Sequence, residues 1–260
     1  MRCSDNHYYI VKFRNNPQHP RVLANELLAT LLAELIGLPV PVPAVVEVGE
    51  LLIKRTPELH IQLAHSTVPC QPGLQFGSRY AVSPLEGQVL DYFPMEMIHR
   101  VRNVDAFAGM LTVDKWTSNA DYRQAAFWKK SRQKNYTVAF IDQGNCFNAG
   151  EWAFPDHPLR GVYAQNDVYE GVRGWEAFEP WLSRIENMDG SAVGSLADEI
   201  PSEWYLGQRK DLERLVRTLI ERRGLVPSLI ESFRMSSRNP FPNWQPAIED
   251  SNPVSSAKTA

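Results

Sequence analysis

The chain has 260 residues, of which 43% are apolar and 22% charged, and a formal net charge of −3. That length supports one large core or two small ones, and the faint acidic balance gives no electrostatic reason to expect nucleic acid or an anionic membrane as a main partner. No run approaches the roughly 18 apolar residues of a membrane-spanning helix.

In chain order, His7 to Arg14 (HYYIVKFR) is rich in aromatic and β-branched residues and predicts a strand. The polar turn NNPQHP follows. From Val22 to Ile36, Leu23, Leu27, Leu28, Leu31, Leu32, Leu35 and Ile36 recur at three- and four-residue spacing, which predicts a helix ended by Gly37 and Pro39. Glu26, Thr30 and Glu34 fall four apart and read as its solvated stripe. After PVPVP, the run VVEVGELLIKR predicts a β-hairpin turning at Gly49. Residues 60–80 read as irregular, ending in FGSRY, and a short segment from Val89 to Phe93 closes an expected N-terminal lobe over 1–93.

Helical patterning returns from Met97 to Thr112, followed by the polar stretch DKWTSNADYRQAAFW and a strand, YTVAFID, closed by Gln143-Gly144. Residues 165–190, 192–200 and 208–233 read as helices, so 94–235 is expected to form a mainly helical lobe. Residues 236–260 are rich in Ser, Pro and Asn, which predicts a disordered tail. The three cysteines (Cys3, Cys70, Cys146) and six scattered histidines offer no Cys-x-x-Cys pair and no metal-ligand spacing. With no signal-peptide pattern in the opening MRCSDNH, a reducing, cytoplasmic setting is expected.

Asp121 and Asp142 carry the chemistry most economically. Asp121 lies in an Asn119-Ala120-Asp121 segment among polar residues, and Asp142 ends an apolar strand. A phosphoryl-transfer site needs one carboxylate to orient an attacking hydroxyl and another to hold Mg²⁺ against the phosphates. Either aspartate alone is equally an ordinary strand-end residue. Lys12 lies within the aromatic strand, where its charge needs solvent or an acidic partner, and Glu26 in the next helix could be that partner.

The segments YYIVKFRNN, LANELLATLLAELIGLPVPVPAVVEV, VDKWTSNADYRQAAFW and YTVAFIDQGNCF, in that order, resemble the HipA-like kinases of the protein-kinase and phosphoinositide-kinase-like superfamily. The resemblance implies an α+β, two-lobed protein-kinase-like fold with a truncated α+β N-lobe and a mainly helical C-lobe. It implies ATP and Mg²⁺ as cofactors, Lys12 and Glu26 on the nucleotide side, and Asp121 as the residue orienting the acceptor. It also implies Asp142 as the metal ligand, and Asn119 as a residue ordering the catalytic loop.

Two departures from the family pattern stand out. Five residues after the catalytic aspartate such loops carry a metal-binding asparagine, whereas this chain has Ala126; Gln124 or Asn119 would have to substitute. Only eleven residues precede Lys12 and none is glycine, so the first hairpin, with its phosphate-covering loop, is expected to be missing from them. The reading is a kinase acting on a hydroxyl-bearing substrate, protein Ser or Thr included. The alternative is a nucleotide-binding pseudokinase or regulatory protein without turnover. A weaker third reading is a toxin partnered with a DNA-binding antitoxin.

Overall fold

The computed structural model describes residues 1–245. It opens with a tight turn in which Arg2 bridges Tyr8, the Tyr9 N–H donates to the Met1 carbonyl, and Asn6 takes a left-handed conformation (φ 66°). A short hairpin-like turn therefore does precede Lys12. It uses asparagine, which tolerates positive φ, where a glycine was sought.

Strand β1 (Tyr9–Lys12) leads through a polar turn into helix α1 (Val22–Leu35). The expected solvated stripe of α1 is not solvated: Glu26 and Thr30 are buried, and of the three polar residues only Glu34 reaches solvent. The helix is enclosed on nearly every side, so its polar residues face protein partners.

Strand β2 (Pro43–Val48) follows, but the expected hairpin does not form. Gly49 instead starts helix α2 (Glu50–Arg55). ELLIKR consists of good helix formers with Glu50 in the first turn and Lys54 and Arg55 in the last, and Glu50 pairs with Lys54 at 2.7 Å. That local preference overrides the apolar run.

Residues 60–80 are not irregular. They form the small pair β3 (His60–Gln62) and β4 (Thr67–Pro69), then β5 (Gly73–Arg79), which is the centre of a three-stranded antiparallel sheet ordered β1-β5-β2. Two glycines and a glutamine hide this strand from its sequence. Gly77 is required by packing, since a Cβ there would stand 2.6 Å from Val46 and 3.2 Å from Tyr9, whereas Gly73 takes a φ of 109° that favours glycine. Gln75 is fully buried and accepts the Arg14 N–H at 2.7 Å while donating to the Gln71 carbonyl at 2.8 Å.

A second antiparallel sheet joins β6 (Gly87–Leu90), β7 (Gln124–Lys130) and β8 (Thr137–Ile141) in that order. Because β6 pairs with β7, the change of sheet falls after Arg79 and not at residue 93. The polar stretch expected before β8 is half strand. Helix α3 (Ala106–Trp116) lies buried along its whole length behind this sheet, with Phe107 against Phe127 and Phe140. The alternation of β7 and β8 turns Phe127, Val138 and Phe140 into that core. It leaves Gln124, Ala126, Trp128, Thr137, Ala139 and Ile141 on the face toward the first sheet.

Helices α4 (Trp181–Glu186), α5 (Gly190–Asp198), α6 (Arg209–Arg222) and α7 (Val226–Arg234) complete a mostly helical C-terminal half. The expected α+β architecture with a mainly helical C-terminal part is thus present. The expected disordered tail is partly overturned. Phe241 is buried, Trp244 stacks on it with ring centres 5.8 Å apart, and the Gln245 N–H donates to the Arg173 carbonyl. These aromatic contacts outweigh the polar composition; the remainder of that expectation, 246–260, lies outside the described residues. Among the described residues no helix is long and apolar enough to cross a membrane.

Candidate active site

The antiparallel register sets Lys12 opposite Phe76 and Ile10 opposite Ser78. By strand alternation these four residues share one face, and they line a recess together with Glu26 and Thr30 from α1 and Gln124, Ile141 and Asp142 from the second sheet. The Lys12 ammonium hydrogen-bonds to Glu26 Oε1 and, at 2.7 Å, to Asp142 Oδ1. Glu26 Oε2 accepts the N–H of Gln143 at 3.0 Å. Three residues far apart in sequence therefore meet where β1, α1 and the end of β8 converge.

Burial opposes the charge of Lys12, but the Glu26 and Asp142 carboxylates outweigh it and hold the ammonium above its usual range. Burial pushes the Glu26 carboxyl up, and the neighbouring Asp142 charge adds to this. Burial would raise Asp142 as well, yet Lys12 holds it below the ordinary carboxylate range. The recess thus presents an ammonium and an ionised, partly exposed carboxylate, with Asp142 itself in the left-handed conformation (φ 61°). Non-glycine residues held at such φ are costly and concentrate at functional sites.

The other sequence candidates divide. Gln124 lies across the β7–β8 ladder from Ile141 and lines the recess. Asp121 is exposed and is not among the lining residues. Its Oδ1 accepts the Tyr122 N–H at 2.7 Å and its Oδ2 accepts from Asn145 Nδ2 at 3.3 Å. Asn145 is a residue that sequence reasoning passed over; it connects Asp121 to the loop after Asp142. Asn119 is buried and committed at both ends, donating to Asp114 Oδ1 at 2.9 Å and accepting the Asp121 N–H at 3.1 Å. It orders the loop and is turned away from the recess. Ala126 is buried in the ladder opposite Ala139 and is not among the lining residues of the recess.

A buried ion pair beneath the site was also missed. Arg123 donates through Nε to Asp114 Oδ2 at 2.9 Å and through Nη1 to the carbonyl of Ile141 at 2.8 Å and of Asp142 at 3.3 Å. Asp114 on α3 thereby anchors both the Asn119–Asp121 loop and the end of β8. A charge within an apolar helix pattern was the available signal, since a buried carboxylate demands a partner.

The recess, about 130 Å³, is too small for a whole nucleotide. It shares Pro41 with a larger cavity of about 770 Å³, bounded by Asn6, Tyr8 and Tyr80 above and Trp128, Thr137 and Ala139 below. That volume is in the range of small-molecule sites.

The HipA-like kinase profile matches residues 1–222. The chain belongs to the HipA-like kinase family. No curated protein matches it. Among solved structures, the Helicobacter pylori proinflammatory kinase CtkA is similar at TM-score 0.54 and 12% identity, over 90% of this chain and 91% of that one. The Golgi casein kinase aligns over 90% of this chain and 70% of its own at TM-score 0.48 and 10% identity. Hydra Fam20 with sugar aligns over 92% and 78% at 0.46 and 12%. At such identities the likeness to CtkA speaks for the fold, and with the family match it identifies this HipA-like chain as kinase-like.

Proposed function

We propose that this HipA-like protein is an ATP- and Mg²⁺-dependent kinase that transfers a phosphoryl group to a hydroxyl, with protein Ser or Thr as the acceptor class. The observation that carries the reading is the convergence of Lys12, Glu26 and Asp142 in one recess, which shares Pro41 with the larger cavity. An ammonium held charged by two carboxylates is suited to phosphate oxygens, and an ionised aspartate on a rigid strand end suits a hard cation. Among the described residues no group of three or more His, Cys, Asp or Glu forms a metal cage. Mg²⁺ ordinarily takes only one or two carboxylates, its remaining ligands being water and substrate phosphates, so Asp142 with the Gln124 amide fits it.

When bound, Mg²⁺ would neutralise charge on the phosphates. Lys12 would hold the phosphate oxygens from the other side, its position fixed by Glu26. Asp121 is exposed, and with lone pairs beyond those that accept from Tyr122 and Asn145 it would take the proton of the acceptor hydroxyl as the new oxygen–phosphorus bond forms and the bond to ADP breaks. The base would occupy the larger cavity, over Trp128, Thr137 and Ala139.

Ala126 also favours a second reading, a pseudokinase that binds nucleotide without turnover, because a methyl group ligates no metal. Incubation with Mg²⁺ and γ-labelled ATP, alone and with mixed protein acceptors, separates the two. Label transfer that is lost in Asp121→Asn supports the kinase; Mg²⁺-dependent ATP binding without transfer supports the pseudokinase.

A further inference from the structure

Immediately beyond Asp142 the backbone does something costly. Phe147, Asn148 and Ala149 are consecutive non-glycine residues in the left-handed region (φ 58°, 55° and 57°), and Trp152 follows at 52°. Such residues are disfavoured, so the segment persists only because its surroundings determine it.

One side chain supplies much of that determination. Asn25 on α1 is fully buried, and its Nδ2 lies 2.9, 2.8 and 2.7 Å from the carbonyls of Gly144, Cys146 and Ala149. Its Oδ1 accepts the Trp152 indole N–H at 2.7 Å. The same stretch of α1 approaches so closely that a Cβ on Gly144 would stand 2.8 Å from Val22 and 3.2 Å from Glu26. His19, just before α1, reaches the Gly144 carbonyl from the other side at 2.8 Å.

We infer that Asn25 is a positioning residue for Asp142: it clamps the 144–152 segment to α1 and so holds the proposed metal ligand in place before any nucleotide arrives. The inference rests on the function proposed above for Asp142. Adjacent residues of one helix turn divide the task. Glu26 fixes Lys12 and the Gln143 N–H, and Asn25 fixes the chain beyond. A carboxamide suits this place because it donates and accepts at once without charge, whereas a buried carboxylate would face three carbonyl oxygens. Helix and metal loop are thereby coupled through buried hydrogen bonds and need no added charge to hold the loop.

The test uses the whole chain and two variants, Asn25→Ala and Trp152→Phe. The second removes the indole donor while keeping an aromatic ring, should the first fail to fold. Amide hydrogen exchange over 143–152 is measured without ligand, and binding of a non-hydrolysable ATP analogue is measured with and without Mg²⁺. The expected result is at least tenfold faster exchange confined to 143–152, with affinity lost in Mg²⁺ but kept in its absence. Unchanged exchange in the segment, or a wild-type Mg²⁺ enhancement in a folded Asn25→Ala, overturns the inference. A merely structural role would accelerate exchange throughout α1 and leave the ratio of affinities with and without Mg²⁺ as in wild type. If the wild type binds no analogue, the nucleotide reading fails and with it the assignment to Asp142, while the exchange measurement alone decides whether Asn25 clamps the segment.

Discussion

Lys12 and Asp142 stand 2.7 Å apart, although one lies near the start of the chain and the other past its middle. Their contact joins the edge of the first sheet to the end of the second. Glu26 completes it from α1, buried and sharing the same ammonium.

Removing that ammonium should expose the electrostatics of Glu26. In Lys12→Met the carboxyl loses its cation and its folded-state pKa, already raised by burial, rises further. A carboxyl raised on folding contributes stability below its unfolded pKa and loses it as pH climbs through the folded value. The variant should therefore lie about 3–5 kcal/mol below wild type at pH 7 and recover part of that deficit toward pH 5. Urea unfolding at the two pH values measures this; an equal deficit at both would contradict the pairing.

Arg123 and Asp114 provide a second test. Arg123→Met alone leaves Asp114 buried and uncompensated, which should cost about 3–5 kcal/mol. The double variant with Asp114→Leu removes both charges and should recover most of the loss. Its β8-end carbonyls still lack their donor, so phosphoryl transfer should remain depressed after stability returns. Parallel melting and label-transfer assays distinguish these effects.

Lys115 yields a prediction of opposite sign to that of Glu26. It is buried on α3 and donates to the carbonyls of Pro158 and Arg160 at 2.8 and 2.7 Å; burial brings it down to about 8. An amine depressed on folding contributes stability above its unfolded pKa and loses it as pH falls through the folded one. Relative to Lys115→Met, wild type should gain up to about 1.4 kcal/mol per pH unit between about pH 8 and 10. Chemical unfolding of both proteins across that window provides the measurement, and parallel curves would contradict it.

Lys12 and Asp142 stand out at strong local signals, a charge in an aromatic strand and the end of an apolar strand, and the contact of Lys12 with Glu26 follows their strand-then-helix order. What remained hidden depends on tertiary enclosure. Glu26 and Thr30 repeat like a wet stripe, and only the enclosure of α1 makes them interior. Strand β5 loses its β signature because Val46 and Tyr9 press on Gly77, Gly73 takes a positive φ, and Gln75 is buried for its hydrogen bonds to Arg14 and Gln71. ELLIKR is apolar enough for a strand, but its charge placement decides for helix. Asn25 and Arg123 gain meaning only from carbonyls more than a helix length away, which no periodicity can reveal.

The most direct measurement of the central claim is calorimetric titration of ATP, with and without Mg²⁺, into wild type, Asp121→Asn and Asp142→Asn. Wild type should bind more tightly in Mg²⁺, and Asp142→Asn should lose that enhancement. A charge-assisted contact of about 1.5–3 kcal/mol corresponds to roughly ten- to hundredfold. Asp121→Asn, altered at an exposed carboxylate outside the recess, should bind as wild type does while losing transfer. Binding that is equal in all three proteins and indifferent to Mg²⁺ would contradict the assignment of Lys12, Glu26 and Asp142 to a nucleotide-phosphate site.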